Sequence, residues 1–169
     1  MILVDAHTCY DRMQHAAISM SCQHLGIPVM AMICMLSILQ SMRYFLRTGH
    51  GDSSTFYGGP IPIPFQGGCQ GNGAVPCFWI AISLVLMLYL KNQDQAEVVV
   101  AAVSQEMIPY ALVMFVDDIN LPIMGRQGEA MANIWAPAQA KLEVWQRGLR
   151  VTGGDLKAEK CYWCWVDFQ

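Results

Sequence analysis

Charged residues are scarce in this chain. They make up 14% of its 169 residues, well below the roughly 25% of an ordinary soluble domain. The formal net charge is −3, which provides no general attraction to nucleic acid. No charged residue occurs between Asp52 and Lys91. Because 54% of the residues are hydrophobic, the chain can bury a complete core, which excludes an intrinsically disordered protein.

The cysteines lack the pattern of a disulfide scaffold or a zinc site. They number 7, an odd count, and most lie in apolar stretches, where a free thiol behaves as a small hydrophobe. Cys161 and Cys164 form a C-x-x-C pair, but a closed zinc site needs four ligands and no second pair accompanies them. Residues 1–4 carry no basic segment, so we expect no secretory signal and an intracellular location, cytoplasmic or nuclear.

Two long apolar stretches raise the alternative of a membrane protein. Residues 73–90 are uncharged and just reach the length of about 18 residues that a spanning helix needs. Gly73 and Pro76 open this stretch, so a helix starting near Cys77 would be closer in length to a buried core helix. We therefore expect no membrane contact. A small integral membrane protein that spans at 29–46 and 73–90 is the alternative.

The hydrophobic pattern predicts helices mixed with short strands. The predicted helices cover residues 11–24 with Asp11 as N-cap, 29–47, 77–90, and 129–151 with a kink or restart at Pro137. The predicted strands cover residues 2–4, 61–65 after a Gly58-Gly59 turn, 98–103, 112–116 paired with 119–124, and 160–168. No repeat or linker interrupts the pattern. We therefore expect one α+β domain that comprises residues 1–169.

Acidic residues follow two of the apolar strands. Asp117 and Asp118 lie at the tip of the predicted hairpin, and Asp5 directly follows the first strand. Carboxylate oxygens are the ligands that Mg²⁺ prefers, although aspartate is also favoured in an ordinary solvated turn. An acidic strand end beside an acidic hairpin is the minimum needed for two metal ions about 4 Å apart, the arrangement that catalyses phosphoryl transfer.

Four sequence blocks contain these acidic residues together with a glycine-rich segment and a segment that ends in lysine. The blocks are Val4-Asp-Ala-His-Thr-Cys-Tyr-Asp-Arg-Met-Gln-His15, Gly67-Gly-Cys-Gln-Gly-Asn-Gly-Ala-Val-Pro-Cys-Phe-Trp79, Phe115-Val-Asp-Asp118 and Thr152-Gly-Gly-Asp-Leu-Lys-Ala-Glu-Lys160. Together, and in the family's order, they resemble the palm domain of reverse transcriptases, most of all those of non-LTR (LINE-type) retrotransposons. Each block alone is unspecific, but four in order from residue 4 to residue 160 form a specific signature.

The resemblance implies a cofactor and catalytic residues. Asp5 and Asp117 would hold two Mg²⁺ ions, or Mn²⁺ in their place, with Asp118 assisting. The implied activity is that of an RNA-directed DNA polymerase, which transfers a deoxynucleotide to a primer 3′-OH. The implied fold is a polymerase-type palm, with a small antiparallel sheet packed against helices.

The resemblance also implies substrate contacts and partners. Tyr10 would pack under the sugar and exclude ribonucleotides, Gln70 and Gly71 would line the nascent base pair, and Lys160 would face the triphosphate. The partners would be an RNA or DNA template with its primer and deoxynucleoside triphosphates. Most of the fingers and the thumb of such an enzyme would lie outside residues 1–169, so we expect this chain to be inactive alone. A noncatalytic retroelement remnant is a further alternative.

The other conspicuous side chains have ordinary structural explanations. The histidines show no ligand spacing, and we expect them to be surface or hydrogen-bonded residues. We expect the tryptophans and the methionines of the second helix to fill the core. These residues are Trp135, Trp145, Trp163 and Trp165, and Met30, Met32 and Met35.

Overall fold

A computed structural model describes residues 1–7, 9–58, 66–69, 71–126 and 128–166. Its helices are α1 (Cys9–Arg12), α2 (His15–His24), α3 (Val29–Ser41), α4 (Val75–Asn92) and α5 (Met131–Val151), followed by a 3₁₀ turn at Ala158–Lys160. Its strands are β1 (Ile2–Asp5), β2 (Arg43–Thr48), β3 (Gly51–Gly58), β4 (Glu97–Val100), β5 (Met107–Tyr110), β6 (Val113–Phe115), β7 (Asp118–Leu121) and β8 (Tyr162–Trp163).

A four-stranded antiparallel sheet organises the fold. Its strand order is β6-β7-β1-β8, so the first strand of the chain lies between the acidic hairpin and the last strand. Ile2 and Val4 on β1 are buried, as are Ile119 and Leu121 on β7. Side chains alternate along a strand, so these four share the core face, and Asp5 and Asp118 lie on the opposite face.

The core lies between this sheet and the helices. α4 is its largest contributor, with eight buried residues that include Phe78, Trp79 and Ile82. Pro76 lies in the first turn of α4, where its missing N–H leaves no hydrogen bond unmade. Both α2 and α5 pack against α4. The buried face of α4 therefore accounts for part of the uncharged stretch between Asp52 and Lys91, because buried positions need no charge, whereas Ile80, Leu84 and Leu88 on the same helix are exposed.

The expected α+β class is confirmed, but several expected boundaries were wrong. Asp11 lies inside α1 rather than at an N-cap, because the helical conformation is interrupted at residues 13–14 and α2 starts after Gln14. The helix predicted over residues 29–47 is α3, and it ends at Ser41. β2 and β3 then form an unexpected hairpin that turns at residues 49–50. Gly58 ends β3. The expected strand 61–65 lies outside the described residues.

The later part of the chain agrees more closely with expectation. The acidic hairpin is present as β6 and β7, and α5 ends at Val151 as predicted, although it continues through Pro137 without a restart. β5 was not predicted, and β8 covers only Tyr162 and Trp163 of the expected 160–168. Residues 167–169 are outside the described part.

Some of the tryptophans and methionines that were expected in the core are exposed. Trp145 and Met32 are buried as predicted. Met30 is 74% exposed, and Trp135, Trp163 and Trp165 are each nearly half exposed. Trp135 and Trp163 instead pack edge to face near the β8 edge, with ring centroids 4.8 Å apart. The expectation of a core position was therefore wrong for Trp135, Trp163 and Trp165.

One helix in the described part of the chain has the length and composition of a membrane span. α4 has a mean hydropathy of 1.6, and 44% of its residues are buried inside the fold. Core helices of globular proteins commonly share these properties, so length and composition alone do not identify a span.

Candidate functional site

The pairing of β1 with β7 brings two of the expected acidic residues face to face. Asp5 and Asp118 are direct partners in the antiparallel register. Side chains of such partners have Cβ atoms about 5 Å apart, and like charges placed there repel each other. Asp5 has a side chain that is only 17% exposed, which increases the cost of its charge. A cation near this pair is therefore favourable.

Lys160 supplies that cation. Its Nζ lies 3.1 Å from Asp5 Oδ2. The segment that carries it runs alongside the end of β1: Ala6 bridges to Leu156, and the Lys157 N–H donates to the carbonyl oxygen of Asp5 at 3.1 Å. Asp155 anchors this segment by accepting hydrogen bonds from Gln146 and from the backbone N–H of Leu156. The first and fourth sequence blocks thus meet in space.

The third acidic residue, Asp117, belongs to the two-residue turn between β6 and β7. Phe115 pairs with Asp118, which leaves Val116 and Asp117 as the loop. Val116 has a positive φ of 58°, a conformation that a β-branched residue rarely adopts. The indole Nε1 of Trp79 donates to the carbonyl oxygen of Val116, and this bond connects the buried helix α4 to the turn.

Electrostatic effects show that the acidic residues act on common neighbours. The pKa of Lys160 is raised, mainly by its hydrogen bond and ion pair with Asp5, and further by Asp117 and Asp118. Burial raises the pKa of the Cys9 thiol to about 12, with Asp117 and Asp5 adding to the effect. Negative potential from all three carboxylates is therefore concentrated at this end of the sheet.

Tyr10 lies beside the same acidic residues, half-buried on α1. Burial is the largest cause of its raised pKa, followed by Cys9 and Asp117. Its carbonyl oxygen accepts a 2.7 Å hydrogen bond from the N–H of Gly68. The glycine-rich second block is thereby held against α1, and Tyr10 lies between that block and the acidic hairpin.

Further contacts hold the glycine-rich segment in place. The Gly67 N–H donates to Met13 O at 2.8 Å, and the buried His15 ring hydrogen-bonds to Gly67 O at 2.9 Å. A Cβ on Gly68 would come within 2.6 Å of Val75, so the close approach requires glycine. Gly71 is exposed, with nothing within 4 Å of where its Cβ would be. Gln70, the other expected base-pair contact, lies outside the described residues.

The acidic residues of this site have the type of ligand atom that a hard divalent cation prefers. Asp5, Asp117 and Asp118 offer only carboxylate oxygens, which Mg²⁺ prefers over nitrogen or sulfur. Within the described ranges, however, no group of three or more His, Cys, Asp or Glu side chains is drawn together closely enough to hold an ion. Asp5 engages Lys160 instead. A metal that uses Asp5 would have to displace that ammonium group.

Sequence reasoning missed two residues of this site. Cys9 has no role among the predicted site residues, yet its thiol is buried next to the acidic residues. Trp79 has no predicted role either, because nothing in a sequence signals an indole N–H bonded to a turn 37 residues away. The position of Cys9 between Asp5 and Tyr10 was the available signal for the first.

Comparisons with known proteins add no assignment. No protein-family model matches the chain, and no curated protein matches it. The interpretation of the site therefore depends on its geometry and on the order of the sequence blocks.

Proposed function

We propose that this chain is the palm domain of a reverse transcriptase of the non-LTR retrotransposon type. Its chemistry would be RNA-directed, Mg²⁺-dependent transfer of a deoxynucleotide to a primer 3′-OH. The observation that carries the proposal is the meeting of the four blocks at one end of the sheet. Asp5 is opposite Asp118 in the register, bonded to Lys160, and close in sequence to Tyr10, which contacts the glycine-rich segment.

Different residues of the site would have different roles in this reaction. Asp5, Asp117 and Asp118 would hold the metal ions, and bound Mg²⁺ would activate the attacking hydroxyl and neutralise charge on the leaving phosphate. Tyr10 lies beside the acidic residues, where it could pack under the sugar of an incoming nucleotide. Lys160, once released from Asp5, would donate to the triphosphate oxygens. Gln70 and Gly71 would line the base pair.

The charge of the chain determines what else this chemistry needs. A template–primer duplex and a triphosphate are both strongly anionic, and binding them requires lysine and arginine contacts to phosphates. This chain has a net charge of −3. We therefore propose that it works only with basic fingers and thumb segments, and that by itself it extends primers poorly or not at all.

Primer extension tests the proposal. The chain is joined to the fingers and thumb of a reverse transcriptase, and elongation of a labelled primer on an RNA template is measured with Mg²⁺ and deoxynucleotides. We expect extension by the parent protein and a loss of at least about a thousandfold in the Asp117→Ala variant, because positioning and charge neutralisation supply most of this catalysis.

The control is Asp94→Asn. Asp94 is an exposed acid at the end of α4 with a positive φ of 54°, a conformation that asparagine tolerates, so activity should be unchanged. Equal extension by the parent and the Asp117→Ala variant contradicts the proposal. A folded parent protein that never extends a primer would instead indicate a noncatalytic retroelement remnant.

A further inference from the structure

The turn that carries Asp117 is held from beneath by a buried indole. Trp79 lies on α4 and is 2% exposed. Its Nε1 donates to the carbonyl oxygen of Val116, the first residue of the turn. An indole N–H can only donate, and when buried it usually needs a partner. The bond therefore satisfies Trp79 and at the same time fixes the orientation of the Val116 peptide group.

Val116 is a poor residue for the conformation it adopts. At the first position of a two-residue hairpin loop, a positive φ is ordinarily supplied by glycine, because a Cβ clashes with the backbone there. Val116 has a φ of 58° and a branched side chain, and the residue is 41% exposed. Burial of that side chain thus contributes little to holding the conformation. Strained residues of this kind persist only where surrounding structure holds them.

The conformation of the turn decides where the acidic residues are. Neighbouring side chains on a regular strand point to opposite faces, so Asp117 and Asp118 can act on one site only if the chain turns between Phe115 and Asp118. Both acidic residues raise the pKa of Lys160. A turn that relaxed to negative φ at Val116 would reorient the following peptide and move Asp117 away.

We infer that Trp79 is a positioning residue, whose indole N–H holds the Val116 carbonyl and so keeps the strained turn that presents Asp117 and Asp118 beside Asp5. The consequence for metal binding rests on the proposed function. The consequence for the turn does not, because it depends only on the hydrogen bond and on the backbone of Val116.

The test uses the full chain and Mn²⁺ as the probe, with the dissociation constant measured by electron paramagnetic resonance. Trp79→Phe retains a buried ring and removes the donor. Trp145→Phe is the matched control, because Trp145 is also fully buried and its Nε1 has no hydrogen-bond partner within the described structure. We expect Mn²⁺ affinity to fall about tenfold in Trp79→Phe, the effect of losing roughly one hydrogen bond, and to stay within about twofold in Trp145→Phe.

A second substitution distinguishes loss of the turn conformation from general damage to the core. Glycine adopts a positive φ without penalty, so Val116→Gly no longer depends on the indole. The double variant Trp79→Phe/Val116→Gly should therefore recover most of the lost Mn²⁺ affinity. A merely structural role for Trp79 would leave the double variant as weak as the single one, and that result would overturn the inference.

A metal-free measurement makes the inference independent of the proposed function. The nuclear Overhauser effect between the amide and α protons of Val116, measured by NMR against a fixed proton pair, reports its φ, because these two protons are closest when φ is positive. We expect a strong effect in the parent and in Trp145→Phe, and a weaker one in Trp79→Phe. An unchanged effect in Trp79→Phe overturns the inference. If the parent protein binds no Mn²⁺, the proposed function fails, and this effect still decides the role of Trp79.

A second replacement covers the case in which Trp79→Phe does not fold. Benzothienylalanine at position 79 keeps the size and shape of tryptophan and replaces the N–H with sulfur. The same weakened nuclear Overhauser effect at Val116 is expected, and an effect as strong as that of the parent would again overturn the inference.

Discussion

The ammonium group of Lys160 lies 3.1 Å from the carboxylate of Asp5. These residues belong to the first and last of the sequence blocks, and the backbone bond from Lys157 to Asp5 keeps the two segments side by side. The contact matters because Asp5 also faces Asp118 across the β1–β7 ladder. Lys160 therefore offsets a repulsion that a divalent cation would offset more completely.

Lys160→Met should strengthen divalent-metal binding. The ammonium group competes with a cation for Asp5, and its removal frees that carboxylate. Because the Lys160 side chain is 57% exposed, water screens the pair, and we expect a modest gain of about two- to fivefold in Mn²⁺ affinity by titration calorimetry. Lys157→Met removes the same charge from the same segment without breaking this contact, so its gain should be smaller. Weaker Mn²⁺ binding in Lys160→Met would contradict competition at Asp5.

Gly153→Ala should destabilise the fold strongly. Gly153 directly follows the C-cap of α5 and has a φ of +94°. A Cβ there would lie 2.3 Å from the carbonyl oxygen of Arg12. The left-handed conformation and the backbone clash together should cost about 2–4 kcal/mol. Urea denaturation measures this free energy of unfolding.

Gly26→Ala is the matched control for that substitution. Gly26 ends α2 with the same pair of capping hydrogen bonds and a φ of +88°, but nothing lies within 4 Å of its Cβ position. It should lose only the conformational part, about 1 kcal/mol. Equal losses at the two glycines would show that the contact with Arg12 is not a real constraint.

The buried Lys141 should make stability depend on pH in the alkaline range. Burial lowers its pKa from 10.5 to about 8, with Glu97 partly opposing the shift, and its Nζ donates to Pro122 O at 2.6 Å. Between these two values the unfolded chain binds the proton and the folded chain does not. The unfolding free energy contributed by this group should therefore rise with pH from about 8 to 10.5, by up to about 3 kcal/mol.

Lys141→Met tests that dependence. The variant has no ammonium group to titrate, so its stability should change less between pH 8 and 10 than that of the parent, as followed by urea denaturation at a series of pH values. Lys91→Met, which removes a lysine from the end of α4, should keep the slope of the parent. A slope in Lys141→Met that matches the parent would mean that Lys141 titrates normally.

Tyr10→Val should relax sugar discrimination in the joined, active protein. If the ring of Tyr10 packs under the sugar, its loss makes room for a 2′-hydroxyl. We expect the ratio of deoxynucleotide to ribonucleotide incorporation, each expressed as kcat/KM, to fall by at least about tenfold, the size of a lost steric exclusion. Tyr10→Phe keeps the ring and should retain the discrimination of the parent. An unchanged ratio in Tyr10→Val would remove Tyr10 from the substrate site.

The elements that could be predicted from the sequence are those that end at an aspartate or a glycine. β1 and the β6–β7 hairpin are apolar runs that stop at aspartates, and Gly153 and Gly154 mark the end of α5. β2 was not predicted, because no glycine or proline separates its residues from α3 and a short apolar run does not distinguish helix from strand. Only the extended conformation at Met42 ends the helix.

The candidate site was predictable in its residues but not in its contacts. The resemblance brought Asp5, Asp117 and Lys160 into one proposal. The bond between Lys160 and Asp5 depends on how the segment after α5 pairs with the end of β1, a long-range register that local patterns do not encode. The left-handed Val116 and its bond to Trp79 are likewise tertiary features. The half-exposed tryptophans near β8 show the same limit, since their apolar neighbours in sequence are not their neighbours in space.

Binding of Mn²⁺ to the full chain and to its Asp117→Asn variant tests whether the acidic end of the sheet is a divalent-cation site. The variant removes one charge and leaves the size of the side chain unchanged, and circular dichroism checks that both proteins fold alike. We expect that the parent binds Mn²⁺ at the acidic end of the sheet, that Mg²⁺ displaces it, and that Asp117→Asn weakens binding by at least about tenfold, because a charged ligand is lost. Equal Mn²⁺ binding by the two folded proteins, or none by the parent, would contradict this expectation.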